Sequence, residues 1–284
     1  MANARNFLIA LDDGHGMETP GKRTPYIASL GREIKENEFN RAVVKYLDEE
    51  LRRCGFRTLL VAPTDKDVPL KKRTDLANAK GADAYISIHY NAFDGKFNGP
   101  GKDPEGHSIH IYPGSKSGRK LAECILKYLR QGTPQKNRGI QENNFHVLRE
   151  TKMPAVLSEN GFMDNMREAL LMINKQFQKE VAIEHAKGIC DYFGVKYVPK
   201  ATPVKKPTST GNKIYKVQTG AFKVKGYADK LAKELKKDGY DTFIVHDKYY
   251  KVQTGAFSVR KNAEKLAMEL RKKGYSVFIV EVGK

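Results

Sequence analysis

Cysteine is scarce in this chain, with three residues in 284, at Cys54, Cys124 and Cys190. They lie far apart, match no paired metal-ligand spacing and cannot all pair within one chain, which excludes a disulfide framework. Reduced thiols in a protein made in the cytoplasm are the expectation. Long hydrophobic runs are also missing. No stretch approaches the ~18 consecutive apolar residues that a bilayer-spanning helix requires. The apolar run Phe7 to Leu11 stops at Asp12 and Asp13, so neither a secretory signal nor membrane insertion is expected. Acidic residues are the third shortage: 33 Asp plus Glu face 51 Lys plus Arg, a formal charge of +18.

That charge is unevenly spread. Residues 212–284 hold 17 Lys plus Arg against 8 Asp plus Glu, and residues 195–211 add four lysines with no acid. The basic excess of the last third suggests an anionic polymer as partner, nucleic acid and bacterial wall polymers both qualifying, with a merely solubilising lysine-rich face as the alternative.

The stretch YVPKATPVKKPTSTGN from Tyr197 to Asn212 holds three prolines and few residues able to enter a core. It reads as a semi-rigid linker. The chain therefore divides into residues 1–194, a Pro/Lys/Thr linker at 195–211, and residues 212–284. The last segment repeats itself: YKVQTGAF occurs at Tyr215 to Phe222 and again at Tyr250 to Phe257. Each copy continues into an amphipathic helical pattern (Ala228, Leu231, Leu235; then Ala263, Leu266, Ala267, Leu270) and a short apolar strand, at 241–245 or 276–280. A 35-residue unit buries too little surface to stand alone, so one small α+β domain of order βαββαβ is expected.

In residues 1–194 the apolar runs FLIAL (7–11), TLLVA (58–62), AYISI (84–88) and PAVLS (154–158) read as buried strands. Helical patterns intervene, most clearly Phe39, Val43, Tyr46, Leu47 and Leu51. The expected fold is α/β, a mostly parallel sheet flanked by helices, with a mixed edge near residues 107–113. Three polar signals follow predicted strands: Asp12-Asp13-Gly14-His15-Gly16, His89-Tyr90-Asn91-Ala92 and Glu159-Asn160-Gly161-Phe162. In an open α/β sheet these would converge on one edge. Glu36, opening the amphipathic helix, could face the same edge, although Glu33 and Glu38 stand beside it. Two imidazoles and a carboxylate suit catalytic zinc, because three protein ligands leave a fourth position to water. A second carboxylate, for which Glu159 is placed, can accept that water's proton. Taken singly, each histidine reads more readily as a hydrogen-bonded structural residue. His107, His110 and His146 are left in that class, Asn91 as a turn cap, and Arg73 as a salt-bridge partner at the edge.

Taken in order, Asp12-Asp13-Gly14-His15-Gly16, Glu36-Asn37-Glu38-Phe39-Asn40, Leu70 to Arg73 with Ala77-Asn78, Ser87 to Ala92, and Pro154 to Phe162 resemble the motifs of family-3 N-acetylmuramoyl-L-alanine amidases. The resemblance spans nearly all of residues 6–194. It implies Zn²⁺ held by His15, Glu36 and His89, with Glu159 as catalytic base, and peptidoglycan as substrate, cut at the amide joining N-acetylmuramic acid to L-alanine. The turn Asp-Asp-Gly-His and the phrase Ser158-Glu159-Asn160 depart from the family's commoner spellings but remove no ligand. The paired YKVQTGAF units resemble the SPOR domain over residues 213–282, which implies binding to peptidoglycan glycan strands. A nucleic-acid-binding module is the alternative for the tail, but the RNA-recognition signature of Lys/Arg-Gly-Phe/Tyr-Gly/Ala-Phe is missing. Action on the bacterial wall after release from the cytoplasm fits either a phage endolysin, which the compact layout favours, or a host autolysin of mother-cell lysis in sporulation.

Overall fold

The computed structural model describes residues 2–133, 135–200, 213–258 and 260–283. They form two compact units, the first ending at Lys200. Its chain order begins with strand β1 (Leu8–Asp12), helix α1 (Glu36–Arg53), β2 (Arg57–Leu60), α2 (Leu70–Ala79) and β3 (Ala84–Asn91). There follow β4 (His107–Ile111), α3 (Lys116–Gly132), β5 (Asn137–Glu142), α4 (His146–Arg149), β6 (Ala155–Phe162), α5 (Met166–Met172) and α6 (Lys175–Phe193).

The sheet order is β2-β1-β3-β6-β4-β5. All neighbours run parallel except β4 and β6, so the sheet is mixed as expected, although β5 and not β4 forms its edge. The central strands are apolar on both faces because helices cover both. On one face α1 and α3 pack against α6, with Phe39 of α1 wedged between Tyr90 and Phe177. On the other, Ala77 of α2 and Val147 and Leu148 of α4 cover Ala10, Tyr85, Ala155 and Leu157.

Strand alternation carries this second face on toward the carboxyl ends of β1, β3 and β6. Asp12, Ser87, His89 and Glu159 lie on it, because each stands two or four positions beyond Ala10, Tyr85 or Ala155 on its own strand. Pairing adds Ser108 opposite Glu159 and His110 opposite Leu157. The apolar half of this face is roofed by α2 and α4, and its polar half is the candidate site. The strands run on through His89 and Glu159 instead of stopping before them, since main-chain pairing continues to Asn91 and Phe162.

Of the expected linker 195–211, residues 195–200 lie against the first unit. The Tyr197 hydroxyl donates to Glu50 at 2.5 Å, Arg53 Nε donates to the Val198 carbonyl at 2.9 Å, and the Val198 N–H meets Cys54 Sγ at 3.3 Å. The remainder, 201–211, lies outside the described residues.

The second unit contains β7 (Lys213–Phe222), α7 (Lys225–Lys237), β8 (Phe243–His246), β9 (Tyr250–Phe257), α8 (Arg260–Lys272) and β10 (Phe278–Gly283). This is the expected βαββαβ order, folded into one antiparallel sheet, β10-β7-β9-β8. Val217, Val252, Ile244 and Ile279 face the helices and pack with Ala228, Leu235, Ala263 and Leu270. Their strand neighbours face the opposite way, and register lines up Phe278, Gln218, Gln253 and Phe243 in one row across all four strands. Phe243 is 69% exposed.

Candidate active site

The turn after β1 needs a residue without a Cβ. Gly14 has φ +67, and a Cβ there would sit 2.6 Å from the His89 ring. The glycine lets the backbone pass under His89 while His15 projects beside it, their rings edge to face with centroids 5.0 Å apart. Glu36 arrives from the first residue of α1. Its neighbours are committed elsewhere: Glu38 accepts from the Lys35 N–H at 2.9 Å and pairs with Arg32, and Glu33 pairs with Arg23.

Glu36 is buried, with its two oxygens in different situations. Oε1 accepts from Asn40 Nδ2 at 3.0 Å and the Tyr90 N–H at 3.1 Å and meets His89 Nδ1 at 2.9 Å. Oε2 lies 3.7 Å from His15 Nε2 and is buried with no hydrogen-bond partner among the described residues. One donor atom from each of His15, Glu36 and His89 lies within 4.8 Å of the others. A desolvated carboxylate oxygen facing imidazole nitrogens suits a cation, and two nitrogens plus one oxygen match the donor set of catalytic zinc sites. The residues fit the metal. His15, with its side chain 20% exposed, leaves the cluster open on one side. Burial holds the His15 imidazole down to about 4, keeping it neutral as a ligand must be. Burial alone would raise Glu36, but the hydrogen bond and charge of His89 outweigh it and hold the carboxyl down at about 2.

The His89 ring is oriented from behind. Its Nε2 meets Ser87 Oγ at 3.0 Å, and Ser87 Oγ donates to Asp12 Oδ2 at 2.9 Å. The same carboxylate accepts from Tyr85 Oη at 2.9 Å, Arg73 Nη1 at 3.0 Å and the Gly14 N–H at 3.1 Å. An aspartate paired with a guanidinium offers lone pairs only, so the single Ser87 proton goes to Asp12. Ser87 must then accept from His89 Nε2–H, which leaves Nδ1 to donate to the Glu36 carboxylate or, once that proton is displaced, to offer its lone pair to a metal. Such outer partners typically matter 10- to 100-fold in metal affinity. Ser87→Ala should therefore weaken zinc binding by about that factor in a chelator competition; unchanged affinity would contradict the assignment.

Glu159 neighbours His89 across the β3–β6 pair. It is partly exposed, yet its Oε2 is buried without a partner among the described residues. Burial, reinforced by the charge of Glu36, lifts its carboxyl to about 7 despite the opposing pull of His89. All four expected site residues thus meet at one place. Arg73 is fully engaged, bonding Asp67 Oδ1 and the Val68 carbonyl besides Asp12. Asn91 caps its own loop, its Oδ1 accepting from the Ala92 N–H at 2.8 Å. His146 meets Thr74 at 3.4 Å, and His107 is buried outside the cluster. The supporting roles of Asp12, Ser87 and Asn40 escape a reading of the sequence; the alternation Tyr85, Ser87, His89 is the available signal for Ser87.

The N-acetylmuramoyl-L-alanine amidase family pattern, Amidase_3, matches residues 9–191. The chain belongs to this family. The SPOR domain pattern matches twice in the tail, at residues 211–249 and 246–284. A sporulation-specific N-acetylmuramoyl-L-alanine amidase of Bacillus subtilis is 34% identical over 247 residues, 84% of each chain. The endolysin of Bacillus phage SPP1 is 33% identical over 194 residues, 66% of this chain and 67% of its own. Among solved structures, an N-acetylmuramoyl-L-alanine amidase from Clostridium difficile 630 superposes with TM-score 0.59 at 31% identity, over 68% of this chain and 98% of that one. The chain therefore joins a cell-wall amidase domain to a SPOR domain.

Proposed function

We propose that the amidase domain is a zinc-dependent hydrolase of the amide between N-acetylmuramic acid and L-alanine in peptidoglycan. The observation that carries this reading is the buried Oε2 of Glu36, without a partner among the described residues, between His15 and His89, with the Glu159 carboxylate next to them. Bound by His15, Glu36 and His89, zinc would supply Lewis-acid polarisation of the scissile carbonyl and acidify a water molecule. Asn40 and the Tyr90 N–H hold one oxygen of Glu36 so that the other faces the ligand cluster. Glu159 takes the proton of the attacking water and later gives it to the departing L-alanine amine. Purified wall sacculi treated with the protein should gain free L-alanine amino groups and no reducing sugar ends; the reverse would contradict the reading.

We propose further that the SPOR unit holds the enzyme on glycan strands through the open face of its sheet. Phenyl rings suit the apolar faces of sugars, and the Gln218 and Gln253 amides suit hydroxyl and acetamido groups. Tethering raises the local substrate concentration. In co-sedimentation with sacculi, Phe243→Ala combined with Gln218→Ala should lower retention about tenfold, the loss of roughly 1.4 kcal/mol. Retention by RNA but not by sacculi would favour the nucleic-acid alternative.

For the biological role, the compact layout favours a phage endolysin. The match to the Bacillus subtilis sporulation amidase extends over 84% of both chains, further than the match to the phage endolysin, and this supports a host role in sporulation instead. In either role the protein is made in the cytoplasm and reaches the wall on release; its three cysteines are free. Expression confined to the sporulating mother cell would bear out the host reading, and a location in a prophage lysis cassette would overturn it.

A further inference from the structure

A second chain of polar side chains begins beside Glu159, on the strand away from the metal ligands. Ser108 is its cross-strand partner on β4, where Cβ atoms of paired residues stand about 5 Å apart on the same face. Ser108 Oγ lies 3.0 Å from His110 Nε2, and His110 Nδ1 lies 2.6 Å from Asn143 Oδ1. Ser108 and His110 are 2% and 5% exposed, too enclosed to be general solvent contacts and too enclosed to meet a polymer substrate directly. Asn143 is fixed by its own N–H, which donates to the Ile111 carbonyl at 2.9 Å. The Phe145 ring stands 5.5 Å from the imidazole.

The direction of these bonds is set by the inventory of protons. Burial, with a smaller push from His89, holds His110 below the usual imidazole range, so the neutral ring has one N–H and one lone pair. Asn143 Oδ1 accepts, which puts the N–H on Nδ1 and the lone pair on Nε2. Ser108 therefore donates its only proton to His110. Its oxygen has lone pairs alone to offer toward Glu159. The separations match those of a hydroxyl, base and orienting group in hydrolytic triads, but here the hydroxyl belongs to the cross-strand neighbour of a catalytic carboxylate.

We propose that Ser108, His110 and Asn143 form a positioning chain for Glu159, in which His110 captures the Ser108 proton so that the carboxylate is offered a lone pair instead of a hydrogen bond. A serine free to donate would occupy a carboxylate oxygen and turn it from the water it must deprotonate. With the proton captured, that oxygen stays open. Once Glu159 has taken the water's proton, Ser108 Oγ can accept from the new O–H and keep the acid in place until the amine departs. The proton count is unchanged throughout: one leaves water, resides on Glu159 and ends on L-alanine.

The inference rests on the amidase reading. It is tested with kcat and KM on soluble wall fragments for the full chain, alongside zinc content and Tm. His110→Phe frees the Ser108 hydroxyl, and kcat should fall about 10- to 100-fold with KM and zinc content unchanged. His110→Gln keeps an acceptor for Ser108 and a donor for Asn143, and should stay within about threefold of wild type. The decisive variant is His110→Phe with Ser108→Ala, which removes the misdirected proton and should recover kcat about fivefold or more over His110→Phe alone. If His110→Phe lowers Tm sharply, Asn143→Leu poses the same question by releasing the ring, with the same rescue by Ser108→Ala. With wild type active, a double variant no faster than the single, or a single variant at wild-type kcat, overturns the positioning chain. A wild type that releases no L-alanine amino groups fails the amidase reading itself and takes the inference with it.

Discussion

Glu159→Gln should lower turnover of purified walls by about 10³-fold while zinc content and Tm stay at wild-type values. General-base catalysis by a placed side chain typically contributes 10² to 10⁴ in rate, and the other carboxylates nearby are occupied: Glu36 is committed to the ligand cluster, and Asp12 is held by Ser87, Tyr85, Arg73 and Gly14. The substitution keeps volume while replacing the proton-accepting carboxylate with a neutral amide. The base works unprotonated, so activity falls on the acid side of its titration. Burial lifts Glu159 to about 7 without a metal, and a dication beside it pulls the value down. The acid limb of kcat should accordingly lie below pH 7 in the zinc-loaded protein. Near-wild-type turnover by Glu159→Gln would show that another group accepts the proton.

Glu36→Ala should cost both metal and activity. Two neutral imidazoles remain, but the anionic member of the ligand set is gone, and with it the oxygen whose burial is explained by a cation. Zinc content after dialysis should fall below about one tenth of wild type, with turnover falling in proportion. His89→Ala should behave alike. In the wild type, chelation should abolish activity and added Zn²⁺ restore it. Full zinc occupancy in Glu36→Ala would remove that residue from the ligand set. Fold loss is separable from metal loss here, because Glu36 sits in the first turn of α1 and the buried stripe Phe39, Val43, Leu47 and Leu51 is untouched.

The residues that carry chemistry are legible in the sequence because they interrupt apolar patterns. FLIAL, AYISI and PAVLS each run into a polar residue whose type only a site explains, and the helix behind Glu36 declares itself by its stripe. The duplicated YKVQTGAF likewise announces one pseudo-symmetric domain. Strand β5 escapes notice for the opposite reason. Its sequence, Asn137 to Glu142, holds no apolar run, since an edge strand with a half-exposed face takes its shape from pairing with β4. The supporting residues are invisible for a third reason. Ser108 and Asp12 are ordinary polar residues until register places them opposite Glu159 and Ser87, and register depends on long-range pairing that no local pattern encodes. His110 shows the cost: judged alone beside a strand it reads as structural, and only its partners on β4 and beyond β5 give it a direction.

Which bond the chain cuts is decided most simply by mass spectrometry of peptidoglycan digested by the full chain. Free stem peptides beginning with an unblocked L-alanine are expected, together with glycan strands whose N-acetylmuramic acid residues have regained their lactyl carboxyl group. Products with new reducing sugar ends, or with stems still attached and cross-bridges cut, would contradict the zinc-amidase mechanism.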